Sequence, residues 1–253
     1  MNVPILEYDD SGRAALIEPG KIIRRADAMP ERVVLCFFAD VISAVCSERV
    51  DGVKLGSEMG ANPLYVIESG GERVAVLHPG VGAPLAGAFV EELIAFGGRK
   101  FIACGGAGVL DSTIQVGSIV VPVSAVRDEG FSYHYLPPGR EVAPHPDAVQ
   151  AILDTLDHHQ IPHLTGKTWT TDAIYRETPD RITRRRDEGC ITVEMEAAAF
   201  FAVAQFRGVK LGQLLYGGDD VGGEVWDSRN WIHGRASTRE KLFWLAVEAV
   251  LKL

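Results

Sequence analysis

"VAVLHPGVGAPLAGAFVEELIAFGGRKFIACGG", residues 74–106, changes its apolar spacing along its length. VAVL at 74–77 is a short unbroken apolar run that closes on His78-Pro79-Gly80, the pattern of a strand followed by a turn. From about Pro84 to Phe96 the spacing becomes helical, and Pro84 suits a first helical turn, where its missing N–H is not needed. KFIACGG (100–106) is strand-like again and ends in glycines. Strand, helix, strand with unbroken apolar strands predicts a largely parallel or mixed sheet covered on both faces.

The rest of the chain repeats that alternation. VVLCFF (33–38), SIVVPVSAV (118–126) and LGQLLYGG (211–218) read as strands, and TGKTWTTDAIY (165–175) as strand then loop. Helices are expected over 146–159, from about 194 to 207 with a stop at Gly208, and from about Ser237 to Lys252. Ligands of such sheets sit outside the carboxyl ends of the strands. Those ends carry HPGVGAP (78–84), CGGAGVL (104–110), TTDAIYRET (170–178) and YGGDDVGG (216–223).

Composition narrows the classes. The chain has 253 residues, 47% hydrophobic and 23% charged, which suits one α/β domain over 1–253. Residues 1–32 are expected to form an N-terminal extension packed on it. A formal net charge of −9 argues against nucleic acid as a partner. The basic run Arg184-Arg185-Arg186 is flanked by acids, as on a solvated face. No stretch approaches the ~18 to 20 apolar residues of a membrane span. MNVPILEYDD lacks a signal peptide's basic and apolar regions, so a cytoplasmic protein without a membrane partner is expected. Cys36, Cys46, Cys104 and Cys190 are scattered, as reduced core thiols would be, and His158-His159 reads as surface. No metal and no cofactor is expected.

Chemistry concentrates at the strand ends. Gly80, Gly82, Gly105, Gly106 and Gly108 allow backbone to approach a ligand closely, yet neither GxGxxG nor GxxxxGK[ST] occurs, which rejects dinucleotide and P-loop readings. Asp219-Asp220 follows a buried strand and two glycines. It reads either as a cap or turn, or as a carboxyl able to protonate a leaving group. In "VEMEAAAFFAVAQF" (193–206), Glu194 and Glu196 stand two apart, so they cannot share one helical face. Ionised, each accepts hydrogen bonds from sugar hydroxyls, and Met195 between them offers a soft apolar surface. Together these residues suit a polyhydroxylated sugar bearing a planar base.

The chain resembles the nucleoside phosphorylase superfamily, the branch with uridine phosphorylase, bacterial purine nucleoside phosphorylase and methylthioadenosine nucleosidase. The resemblance rests on "GVGAPLAGAFVEELIAFGGRKFI" (80–102), "GGAGVLDSTIQVGSIVVPVSAVRDEGFSYHYLPP" (105–138), "TTDAIY" (170–175) and "VEMEAAA" (193–199), in the family's order. It implies an α/β fold, a three-layer α/β/α sandwich around a distorted mixed β-sheet. It implies a small-molecule nucleoside as substrate, and a homo-oligomer, a dimer or a trimer of dimers. By the same resemblance Glu196 binds the ribose hydroxyls, Met195 packs near the sugar, and Glu194 supports the turn or the sugar. Ile174 takes the place of a base-stacking phenylalanine. Gly105 and Gly106 lie beside base and sugar, and Val81 and Gly82 flank the nucleophile side. Asp219 matches the aspartate that protonates a purine at N7, so it is both the catalytic residue and a base ligand.

The likeness breaks where the family holds phosphate. The phosphate loop here reads CFFAD (36–40), with Phe37 at the glycine and Val41 at the arginine. Ala103 and, on a neighbouring subunit's loop, Met59 replace two further arginines. A dianion taken out of water needs charge-assisted donors, so phosphate is doubtful. Arg24, Arg25 or Arg49 would have to substitute. Water or another neutral acceptor fits better, with Asp40 or Glu58 as the base. Thr178 and Asp180 stand where uracil is read, which disfavours uracil, and Asp219 favours a purine. The expected activity is N-glycosidic cleavage of a purine-type nucleoside by hydrolysis or a non-phosphate acceptor. Phosphorolysis with a rebuilt anion site, or nucleoside binding without turnover, are the alternatives.

Overall fold

The computed structural model describes residues 3–9, 11–51, 53, 55–58, 60–230 and 236–253. The chain begins with α1 (Pro19–Ile22), β1 (Arg32–Cys36), α2 (Ala39–Val45), β2 (Glu48–Arg49), β3 (Leu55–Ser57) and β4 (Gly60–Asn62). It continues with β5 (Tyr65–Ser69), β6 (Glu72–Leu77), α3 (Ala83–Phe96), β7 (Lys100–Val109), β8 (Ile119–Asp128), β9 (Glu141–Val142) and α4 (Pro146–His158). Then come β10 (His163–Thr171), α5 (Pro179–Asp187), β11 (Cys190–Glu194), α6 (Ala197–Arg207), β12 (Lys210–Asp220) and α7 (Ala236–Lys252).

Among the described residues, ten strands form one sheet in the order β11-β10-β8-β12-β7-β1-β6-β5-β2, with β9 on β8. The centre is parallel: β1 pairs with β6 and β7, and β7 with β12. β12 meets β8 antiparallel, which makes the sheet mixed. Alternate residues of β1 explain its unbroken apolar run. Leu35 packs with Phe89 and Leu93 of α3 and Phe200 of α6 on one face. Val34 packs with Ile152 of α4 and with Phe243 and Val247 of α7 on the other. Each such side chain contributes about 1.5–3 kcal/mol by leaving water, so both faces must be covered.

The distortion that builds the site is a closure. β11 pairs with β10 on one side and curls back to pair antiparallel with β7, Val193 opposite Gly108. A Cβ on Gly108 would sit 3.1 Å from the Val193 side chain, so glycine permits this approach. Thus the Glu194 end of β11 reaches the glycine-rich end of β7.

Local differences from the sequence expectation have physical reasons. The helix expected from about 194 begins at Ala197, because Glu194 completes β11 and Glu196 is the N-cap residue, with non-helical φ −138°. Strand β7 runs on through the glycines to Val109, since pairing with β12 and β11 supplies what their missing side chains do not. The basic run is not all solvated. Arg185 is 5% exposed, donates to Asp128 at 2.8 Å, and lies over the Trp169 ring at 5.4 Å. Ahead of β1, Glu18 pairs with Arg207 of α6 at 3.0 Å, which ties the first segment to the domain. Among the described residues no helix is long and apolar enough to cross a membrane.

Candidate active site

A cavity of about 610 Å³ opens at the carboxyl ends of β1, β7, β11 and β12. Of the residues expected there, Asp219, Glu196, Met195, Glu194, Gly105, Gly106, Ile174, Phe37, Asp40 and Val81 line it. The closure of β11 onto β7 brings residues distant in the chain to one space.

Its middle is the Glu194–Glu196 turn. Glu194 is buried and its oxygens are engaged: Oε1 accepts from Thr170 Oγ1 at 2.6 Å, and Oε2 from the N–H groups of Glu196 and Ala197. Those donors open α6, so Glu194 caps the helix and meets its positive dipole end. Glu196 accepts from the Gly82 N–H at 2.6 Å through Oε1. Gly82 has φ 96°, a conformation that suits glycine, and it turns its N–H toward Glu196 as α3 begins. Burial pushes both carboxyls above their ordinary range, and the negative charge of Glu194 raises Glu196 further. Glu194, with more donors, is the better anion of the two.

At one end Asp219 faces the cavity and accepts from Trp226 Nε1 at 2.8 Å. Its neighbour Asp220 points the other way, as strand alternation requires. Asp220 accepts from Arg229, Ser112 and the Gly222 N–H, which holds the loop after β12 in place. Beside Asp219 is a carboxyl that sequence reasoning missed, Glu177, which follows Ile174 in the loop before α5. Burial pushes Glu177 up to about 7, the Asp219 charge adds to that, and Arg181 opposes it. This end of the cavity thus keeps a proton near neutral pH. The one sequence signal for Glu177 is the glutamate of YRETPD, beside Thr178 and Asp180. Thr178 is instead the N-cap residue of α5, and Asp180 lies in that helix's first turn.

Glu177 has a consequence for stability. In the folded chain it keeps its proton above its ordinary pKa of 4.5, whereas the unfolded chain loses it there. Stability from this group is full below the unfolded value and is lost as pH rises toward about 7. Glu177→Gln is expected to flatten that decline, measured by thermal melts across the range. A variant profile parallel to the parent's would remove Glu177 from this account.

At the other end stand Phe37, Asp40 and Val81, together with Arg239 near the start of α7. Arg239 is the only cation lining this cavity among the described residues, and it too was missed. Its Nη1 lies 3.4 Å from Asp40, and its guanidinium sits 5.7 Å over the Phe38 ring. Burial opposes its charge, but Tyr216 and Asp40 outweigh that and hold it protonated. This end of the cavity is therefore not purely apolar. Ala103 is not part of it: it is fully buried in β7, between Leu35 and Gln213. Glu58 is not either, since it lies exposed beyond β3 beside a separate cavity that Arg49 also lines. Met59 lies outside the described residues, and Gly82 touches the site only through its N–H.

Among the described residues one group could share a metal ion, His158, His159 and Glu248, with donor atoms within 4.8 Å. It is on the surface toward the other end of α7, and Glu248 already pairs with His159 at 2.6 Å and Lys252 at 3.1 Å.

The family described as the Phosphorylase superfamily matches residues 31–248, and the chain belongs to it. The chain is similar to a guanosine phosphorylase from Halorubrum lacusprofundi, 30% identical over 57% of this chain and 60% of that protein. It is also similar to a DeoD-type purine nucleoside phosphorylase from Bacillus cytotoxicus, 27% identical over 72% of this chain and 77% of that one. A solved purine nucleoside phosphorylase from Toxoplasma gondii, in complex with immucillin-H, shares the fold. Its TM-score is 0.75 at 20% identity, covering 95% of this chain and 98% of that one.

Proposed function

We propose that this protein cleaves the N-glycosidic bond of a purine-type nucleoside. The observation that carries the reading is one cavity in which Glu196 and the Asp219–Glu177 pair face the same space. Glu196 accepts hydrogen bonds from the ribose diol, with Met195 against the sugar. Asp219 meets the base and passes a proton to it as the C1′–N bond breaks, and Glu177 keeps that proton available near neutral pH. The purine assignment has its support in the carboxyl at the base end and in the purine-related relatives.

Water is the acceptor in this reading. It adds to C1′, and its proton goes to Asp40 or to solvent, so one nucleoside and one water become free sugar and protonated base. The support is the acceptor end itself: one guanidinium already paired with Asp40, against the several charge-assisted donors a phosphate dianion needs. Phosphorolysis is the second reading, favoured by the same Arg239. Family membership supports assembly into homo-oligomers as part of the proposal.

Base release from a nucleoside panel, followed by chromatography with and without phosphate, tests this. Release is expected to be independent of phosphate to within about twofold, and Arg239→Ala to cost less than about tenfold. Strict phosphate dependence, with the variant raising the phosphate requirement about a hundredfold or more, would replace hydrolysis with phosphorolysis. Nucleoside binding without any release would leave a binding protein.

A further inference from the structure

We propose that the base end continues into a second pocket that takes a bulky apolar substituent on the exocyclic group at C6 of the purine. This deepens the reading above and rests on it. A second cavity, about 900 Å³, adjoins the first and shares four of its walls, Ile174, Glu177, Asp219 and Val221. Both cavities therefore meet at the group that contacts the base. Its additional walls include Tyr175, Pro179, Ile182 and Trp226, from α5 and from the loops beside it.

The chemistry of a purine selects the direction. N7 and the C6 substituent lie on the same edge of the ring. A base that presents N7 to Asp219 therefore presents its C6 group to the space beside Asp219, where the second cavity begins. The first cavity alone falls within the size range of whole-ligand sites, so the second is room in excess of a plain nucleoside. Its surface suits an aryl or alkyl group. Tyr175 is 94% exposed and Trp226 is 62% exposed, and both line this cavity. The wall is held rather than loose: Trp226 is fixed to Asp219 at 2.8 Å, and Arg186 donates to the Gly222 carbonyl at 3.3 Å, bridging α5 to the loop.

The test compares kcat/KM for base release from N6-benzyladenosine and from adenosine, in the full chain and in Thr183→Trp. Thr183 lines only the second cavity, and a tryptophan there fills it from α5. The benzyl nucleoside is expected to be preferred by about tenfold or more, and the variant to bring that ratio to about one. A parent ratio of one or below, with adenosine cleaved, overturns the pocket while leaving the proposed function intact. So does a preference that Thr183→Trp leaves unchanged. If neither nucleoside releases base, the functional reading has failed, and calorimetry with free N6-benzyladenine and adenine judges the pocket alone. Tighter binding of the benzyl base by about tenfold supports it, and equal or weaker binding overturns it. Dissociation of an oligomer by Tyr175→Ala, without a substituent preference in the parent, would assign the surface to a second copy of the chain.

Discussion

Replacing Asp219 with alanine is expected to lower kcat for base release by about 10² to 10⁴, the usual worth of a positioned acid. The effect should appear in kcat more than in KM, because the proton matters as charge develops on the leaving base, not in the ground state. Asp219→Asn sharpens the test. It keeps a hydrogen-bond donor and the acceptor for Trp226 Nε1, so the loop geometry survives while the proton does not. Both variants should bind nucleoside with affinity within a fewfold of the parent. Asp220→Ala is a useful contrast, since its carboxylate holds Arg229 and the loop rather than facing the cavity. Its penalty should register first in thermal melts. A loss below tenfold for Asp219→Ala would take this residue out of the mechanism and leave Glu177 as the proton source.

Glu194→Ala is expected to destabilise the fold by about 3 kcal/mol, or roughly 6–12 °C in melting temperature for a chain of this length. The cause is a set of buried donors left without an acceptor: the Thr170 hydroxyl and the first N–H groups of α6. Glu196→Gln should behave in the opposite way. It replaces a buried carboxyl whose ionisation the Glu194 charge opposes, so the melt should be unchanged or slightly raised, while ribose binding weakens. Paired thermal melts and nucleoside titrations separate the roles. Similar melting shifts for both variants would mean that the pair acts as one structural unit. Unchanged nucleoside affinity in Glu196→Gln would remove the ribose assignment.

Much of the fold was legible because local periodicity carried it. Apolar runs such as VVLC and FIAC are buried on both faces, and only a sheet covered by two helical layers buries both. The helix over 84–96, its start at a proline and the glycine-bearing strand ends could be read one segment at a time. The carboxylates Glu196 and Asp219 were legible for the same reason: they lie where strands end, and strand ends are where a sheet of this kind presents groups to a ligand.

What the sequence determined by itself, then, was the layered α/β sheet and which strand ends carry carboxylates. Only the tertiary structure decided which side chains meet there. Arg239 and Asp40 are 199 positions apart and join because α7 and α2 pack on the same face of the sheet. Glu177 joined Asp219 in one cavity only when the loop before α5 folded, and burial then raised its pKa. Ala103, in the same strand as the glycines that line the cavity, lies in the core instead, because that part of β7 is covered by packed side chains on both faces. Periodicity is a property of neighbours in the chain. A site is a property of neighbours in space, and here the curl of β11 onto β7 and the packing of α7 created those neighbours.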